Sequence, residues 1–88
     1  MKYYKRNWED TRGDDFDDWG KSIWLFETDN HGKPVRQIEI YENGKVLKYN
    51  EDLTQDKYGG LGDQELDLDD FNKFKITEQE FINYWNQY

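Results

Sequence analysis

An acidic stretch near the N-terminus holds the residues best suited to contact another molecule. Between Glu9 and Gly20, six side chains are acidic and only Arg12 is basic. Carboxylates attract a basic partner over long range, and an aromatic side chain among them can act as a desolvated anchor. We therefore predict a partner-binding segment with Trp19 as the anchor. Its residues are Asp14, Asp15, Phe16, Asp17, Asp18 and Trp19. The alternative is a solvated loop whose two aromatic side chains fold back onto the core.

Catalytic groups find little support in the sequence. His31 is the only histidine and Ser22 the only serine, and neither stands in a recognisable nucleophile or base motif. His31 precedes Gly32 and is typical of a turn residue. Carboxylates are so numerous that a pair at catalytic spacing arises by chance, which leaves a carboxylate-based enzyme as an alternative. We predict a non-enzymatic protein without catalytic residues.

Metal and phosphate motifs are also lacking. A calcium-binding EF-hand loop needs glycine at its sixth position, where loops starting at Asp14 or Asp63 have Trp19 and Leu68. The glycines of segment 59–62 lack the lysine and hydroxyl residue of a phosphate-binding loop, and acids flank them. We predict no cofactor and no metal, with a cation site of another type as the alternative.

Composition bounds the class of protein. Only 34% of the 88 residues are hydrophobic, but 18% are aromatic, which favours one folded domain, 1–88, with an aromatic core. A net charge of −8 disfavours nucleic acid and anionic membranes as partners and favours a basic protein. The chain has no cysteine and no apolar run near the ~20 residues of a membrane span, so we expect a cytoplasmic protein. The composition indicates no particular oligomeric state.

Three strand-like runs in the middle of the chain predict an antiparallel meander. They are Ile23–Thr28, Val35–Tyr41 and Val46–Asn50. Asn43-Gly44 between two of the runs is typical of a two-residue hairpin turn, and Gly32 of a three-residue loop that pairs Asp29 with Lys33. These turns would pair Ile40 with Leu47, Ile38 with Tyr49 and Trp24 with Ile38. They would also set Glu39 opposite Lys48 on a wetter face. The predicted core face is Trp24, Phe26, Ile38, Ile40, Leu47 and Tyr49.

The two ends of the chain complete the predicted fold. Lys2–Trp8 is a candidate opening strand, with Tyr4 and Trp8 on one face, and either edge of the sheet could receive it. Asp67 predicts a short helix that ends near Phe74, and Thr77 with Glu80 forms the capping box of a C-terminal helix. Phe81, Trp85 and Tyr88 form the stripe expected to pack on the sheet. The predicted class is α+β, a three- to four-stranded meander with this helix on one face.

Several of these segments resemble a group of short, acidic bacterial proteins classed as a domain of unknown function. The resemblance covers nearly the whole chain, and its motifs are strand, turn and capping signals. It implies a bacterial cytosolic protein and carries over no catalytic residue. The matching segments are Lys2–Lys5, Val35–Tyr41 with Asn43–Lys45, Tyr58–Leu61, and Ile76-Thr77 with Glu80-Phe81 and Trp85.

The sequence thus favours a small acidic protein-binding module. Its sharpest version is an immunity protein that neutralises a cationic toxin such as a nuclease. A DNA mimic, whose carboxylates stand in two rows for the phosphates of a duplex, is the alternative among binding proteins.

Overall fold

Four antiparallel strands, paired in chain order, form the sheet that carries the other elements. The computed structural model describes residues 1–88. Its strands are β1 (Lys2–Trp8), β2 (Ser22–Thr28), β3 (Pro34–Tyr41) and β4 (Val46–Asn50). The order β1-β2-β3-β4 confirms the predicted meander and the α+β class, and β1 pairs with β2.

Short elements complete the chain. The segment after β4 contains a small hairpin, β5 (Gln55–Asp56) and β6 (Gly59–Gly60). Helix α1 (Leu68–Phe71) runs into a 3₁₀ turn over Asn72–Phe74, and α2 (Glu78–Gln87) is the C-terminal helix. No helix here has the length and apolar character needed to cross a membrane.

Both predicted N-cap residues are confirmed, but the capping box at Thr77 is only half formed, since the Glu80 carboxylate does not accept the Thr77 N–H. The Asp67 carboxylate accepts hydrogen bonds from the backbone N–H groups of Asp69 and Asp70, at 3.1 and 3.2 Å. The Thr77 hydroxyl accepts one from the Glu80 N–H at 3.1 Å. These caps satisfy N–H groups that the first turn of a helix leaves without a partner.

The predicted register between β3 and β4 is wrong by one residue. Ile40 pairs with Val46, and Glu39 pairs with Leu47. The turn has three residues, because the Tyr41 N–H donates to the Lys45 carbonyl at 2.9 Å. Gly44 alone takes a positive φ, of 91°, so Asn43 does not adopt the conformation that a two-residue type I′ turn requires.

The register between β2 and β3 also slips by one residue, although its loop forms as predicted. The Asp29 N–H donates to the Lys33 carbonyl at 3.0 Å. Thr28 then pairs with Pro34 and Glu27 with Arg36, so one extra residue bulges out of β3. Because of this bulge, Trp24 lies opposite Glu39 and not opposite Ile38.

As a result, the predicted single core face is divided between the two sides of the sheet. On one side, here called the helix face, Tyr3, Leu25 and Ile38 form a core cluster with Phe81 of α2. Ile40 packs on the same cluster. Trp24, Phe26, Leu47 and Tyr49 point to the other side, here called the cleft face.

Helix α2 covers the helix face, as predicted. The Phe81 and Tyr3 rings are 5.5 Å apart, and the Lys48 ammonium lies 4.4 Å from the Trp85 ring centre. The expected contribution of Tyr88 is wrong, because its side chain is 47% exposed at the end of the helix.

Two separate covers lie over the cleft face. Phe71 of α1 packs its ring 5.7 Å from Tyr4 and 6.0 Å from Phe26. The segment from Glu9 to Gly20, here called the acidic loop, covers the other half. Its Trp19 packs with Tyr41, Leu47 and Tyr49. A cleft lies between these two covers.

Candidate functional site

The gap between the covers is an open cleft of about 440 Å³. This volume lies within the roughly 300–1,000 Å³ of ligand-binding pockets. β1, β2 and β3 form its base, while the acidic loop, the β5–β6 hairpin and α1 form its walls. Six aromatic side chains line it: Trp8, Trp24, Phe26, Tyr41, Tyr58 and Phe71.

The aromatic rings are held in place by contacts around the cleft. The Trp24 ring lies 6.0 Å from that of Phe26, and its Nε1–H donates to the Ser22 hydroxyl at 2.7 Å. Trp8 pairs with Ser22 across β1 and β2 and is 45% exposed at the cleft edge. Fixed aromatic surface of this kind binds apolar or cationic groups at low entropic cost.

Glu39 is the buried carboxylate of the cleft, with 3% of its surface exposed. Oε1 accepts a hydrogen bond from the Tyr41 hydroxyl at 2.6 Å, and Oε2 accepts one from the Gln37 amide at 2.7 Å. The Gln37 amide is itself fixed, since it donates to the Gly60 carbonyl and accepts from the Gly62 N–H. Burial raises the pKa of Glu39, and the two hydrogen bonds oppose that rise.

Arg12 closes the cleft on the side of the acidic loop. Its Nε and Nη2 groups donate to the Asp14 carboxylate at 3.0 to 3.2 Å, and Nη2 also donates to the Tyr58 carbonyl. The guanidinium carbon lies 5.3 Å from the Trp19 ring centre. The hydrogen bonds from Arg12 lower the pKa of Asp14. One arginine thus joins the acidic loop to the β5–β6 hairpin.

Arg6 occupies the side of the cleft next to α1. Its Nη1 group donates to Asp70 at 3.3 Å. The guanidinium carbon lies 5.0 Å from the Phe71 ring centre and 4.8 Å from that of Phe74. Both cleft arginines are therefore paired with a carboxylate and stacked on aromatic rings.

Among the predicted site residues, two aspartates fold the loop and two are free. Asp14 accepts the Phe16 N–H at 2.8 Å, and Asp17 accepts the Gly13 N–H at 2.6 Å. Asp15 and Asp18 are exposed, and no hydrogen bond or ion pair engages their carboxylates. Asp14 alone of the predicted set lines the cleft.

The two aromatic residues of the predicted set fold back onto the core. Trp19 is 7% exposed, and its ring lies 5.1 Å from Tyr41 and 5.3 Å from Tyr58. Phe16 packs 5.0 Å from Trp19. The indole of Trp19 is therefore not presented to a partner in this structure. Partner binding through the loop stays a prediction.

Three important cleft residues were missed from the sequence: Trp8, Arg12 and Glu39. The predicted strand places Tyr4 and Trp8 on one face, which is confirmed, but nothing in the pattern indicates that Trp8 borders a cleft. The sequence predicts Glu39 on a wetter face, opposite Lys48. The one-residue slips move large side chains such as Trp24 and Leu47 to that face, which buries Glu39.

No three histidine, aspartate or glutamate side chains form a group that could hold a metal ion. The candidate cation site of the sequence therefore has no geometric support in the structure.

No family model, curated protein or solved structure matches the chain.

Proposed function

We propose that the protein is a non-enzymatic binding domain for a basic protein, and that the cleft with its acidic border is the contact surface. The observation that carries the proposal is an aromatic cleft whose wall is an acidic loop, on a molecule with a net charge of −8. Acidic surface steers a cationic protein in, and a desolvated aromatic site then holds it.

The state of the polar groups supports binding over catalysis. Arg6, Arg12 and Asp14 are already engaged in ion pairs. A general acid or base must exchange protons with a substrate, whereas groups fixed in this way form a preorganised recognition surface.

The anchor in this proposal is Trp8 in place of Trp19. Trp8 is 45% exposed at the edge of the cleft and is followed directly by the exposed acids Glu9 and Asp10. An accessible indole beside a concave surface has the position typical of a binding hot spot. Asp15 and Asp18, which have no partner within the chain, supply the steering charge.

The proposal extends to the biological setting. An immunity-type inhibitor of a cationic toxin fits this surface, and the lack of cysteine fits the cytoplasm of a bacterial cell. Phosphate-rich partners, nucleic acid and anionic membrane, are disfavoured by the net charge.

The test is affinity capture from a lysate of the source organism, followed by calorimetry with the purified captured protein. We expect a basic protein that binds at low salt and is released at high salt. Trp8→Ala should weaken its binding by roughly 30-fold or more, since truncated hot spots cost about 2 kcal/mol or more. Tyr88→Ala is the matched control, because Tyr88 is also an aromatic residue, is 47% exposed and lies outside the cleft. Equal binding by wild type and Trp8→Ala, or a captured protein that is not basic, would overturn the proposal.

A further inference from the structure

The charges in the cleft do not balance. Arg6 pairs with Asp70 at 3.3 Å and Arg12 with Asp14 at 3.0 Å, so each cleft cation already has its own carboxylate. Glu39 belongs to none of the four ion pairs of the structure, and its two hydrogen-bond donors, Gln37 and Tyr41, are neutral. The cleft therefore contains a buried carboxylate without an ion-pair partner, and the nearby Arg12 acts on it only through space.

A lone buried carboxylate is an unusual feature for a small domain. Removing its charge from water costs free energy that neutral donors offset only in part. A carboxylate has about four lone-pair sites, of which the two hydrogen bonds use two. Glu39 lines the cleft with 3% of its surface exposed, so only a group that inserts fully into the cleft would use the remaining lone pairs. Such a group must be a hydrogen-bond donor. A cationic donor offsets the largest part of the desolvation cost of the carboxylate.

The walls of the cleft suit a planar cation. A guanidinium is more weakly hydrated than an ammonium and stacks on aromatic faces, while its fork of donors matches a carboxylate. The protein uses this chemistry twice in the same region. Arg6 lies 5.0 Å from the Phe71 ring centre, and Arg12 lies 5.3 Å from that of Trp19.

We propose that the cleft receives an arginine side chain of the basic partner, whose guanidinium pairs with Glu39 between the rings of Trp8, Trp24 and Tyr58. This inference rests on the proposed function and names the group that the cleft recognises. Recognition is by charge and planarity together, so lysine binds more weakly and neutral side chains do not bind.

The probe for this site is N-acetyl-L-arginine amide, with N-acetyl-L-citrulline amide as its neutral isostere. Amide and indole NMR signals are followed while each compound is added to the whole protein. We expect the arginine compound to shift the indole signals of Trp8 and Trp24 and the Gly60 amide, with millimolar affinity. The citrulline compound should leave them in place at about 50 mM, where a millimolar site is occupied.

Glu39→Gln is the decisive variant. Glutamine preserves the shape and the hydrogen bond from Gln37, and its amide can donate to the Tyr41 oxygen, which reverses the direction of that bond. We expect at least tenfold weaker binding of the arginine compound. Glu51→Gln removes the same charge from an exposed site outside the cleft and should leave the affinity unchanged. Dispersed amide spectra of both variants establish that they are folded.

The outcomes separate this inference from the proposed function. Equal shifts with arginine and citrulline, no shifts at the cleft, or unchanged affinity in Glu39→Gln would each overturn arginine recognition. If a basic partner nevertheless binds in a Trp8-dependent way, the proposed function stands without it. If the arginine compound binds as expected and no basic partner is captured, the arginine site stands and the proposed function falls.

Discussion

Two buried glutamates show how the surroundings of a side chain decide what its charge does. Glu27 lies on the helix face and receives two hydrogen bonds from the Arg36 guanidinium, at 2.7 and 3.0 Å. These bonds lower the pKa of Glu27. Glu39 lies on the cleft face with neutral donors, and burial raises its pKa. The charge of Glu27 therefore stabilises the fold, and that of Glu39 opposes it.

Neutral substitutions at these glutamates should have opposite effects on stability. Glu27→Gln removes a charge-assisted pair from a largely buried site and should lower the free energy of unfolding at pH 7 by about 2 kcal/mol. Glu39→Gln removes a desolvated charge and should leave that free energy unchanged or raise it. Urea unfolding of both variants beside wild type measures the difference. A strongly destabilised Glu39→Gln would mean that the fold requires the charge.

The pH dependence of the free energy of unfolding follows from the lowered pKa of Glu27 and the raised pKa of Glu39. The stabilisation from Glu27 is present above its ordinary pKa of 4.5 and is lost as the pH falls through its lowered folded pKa. For Glu39 the favourable contribution exists below 4.5 and is lost as the pH rises through its raised folded pKa. The charged or titratable groups that act on Glu39 are Arg12, Tyr41, Tyr49 and Asp56.

Unfolding should therefore be followed for both variants from about pH 3 to pH 7. The deficit of Glu27→Gln relative to wild type should shrink below pH 4.5, and any gain of Glu39→Gln should grow above it. A constant difference across the range would contradict these assignments.

At the scale of elements, two turns contain a glycine with a similar positive φ but differ in the space around that glycine. Gly32 and Gly44 have φ values of 93° and 91°. A Cβ at Gly44 would meet nothing within 4 Å, whereas one at Gly32 would lie 2.8 Å from the Leu66 carbonyl oxygen. The Gly32 carbonyl also accepts the Leu66 N–H at 2.9 Å. The β2–β3 turn is thus a docking point for the segment that leads into α1.

Alanine substitutions separate conformational strain from this close contact. Gly44→Ala should cost only the strain of a positive φ, roughly 1–2 kcal/mol. Gly32→Ala should cost more than Gly44→Ala, because the backbone of residue 66 must also move. Urea midpoints of the two variants, measured side by side, test the order. Equal costs would indicate that the contact at Leu66 contributes nothing to stability.

The elements also show where sequence patterns suffice. Helix caps depend on residues two or three apart, so the sequence predicts Asp67 and Thr77 as caps. Strand registers depend on the number of residues in a turn or a bulge. The bulge at β3 and the Gly44 turn each moved a register by one residue, and every side chain beyond them changed face. The cleft could not be predicted because its base, Trp24 and Glu39, depends on those registers.

At the scale of the whole molecule, the acidic charge is distributed between structural and free carboxylates. Asp14, Asp17 and Asp29 accept backbone hydrogen bonds that fold their loops. Asp15 and Asp18 make no such bond and add only to the net charge of −8. Uncompensated charge of one sign destabilises a compact chain through self-repulsion. In the proposed function, their role is to attract the partner.

Replacing both free aspartates tests whether their charge destabilises the fold and attracts the partner. Asp15→Asn with Asp18→Asn changes the net charge from −8 to −6. At low salt the double variant should melt at a higher temperature than wild type, by roughly 1–4 °C, as expected for modest surface changes. At about 1 M salt, where screening acts over roughly 3 Å, the two melting temperatures should converge.

Association of the variant with the basic partner should be slower at low salt, with little change in the dissociation rate. A variant that is less stable than wild type at low salt would show that these carboxylates hold the loop together, and the assignment of steering charge to them would fail.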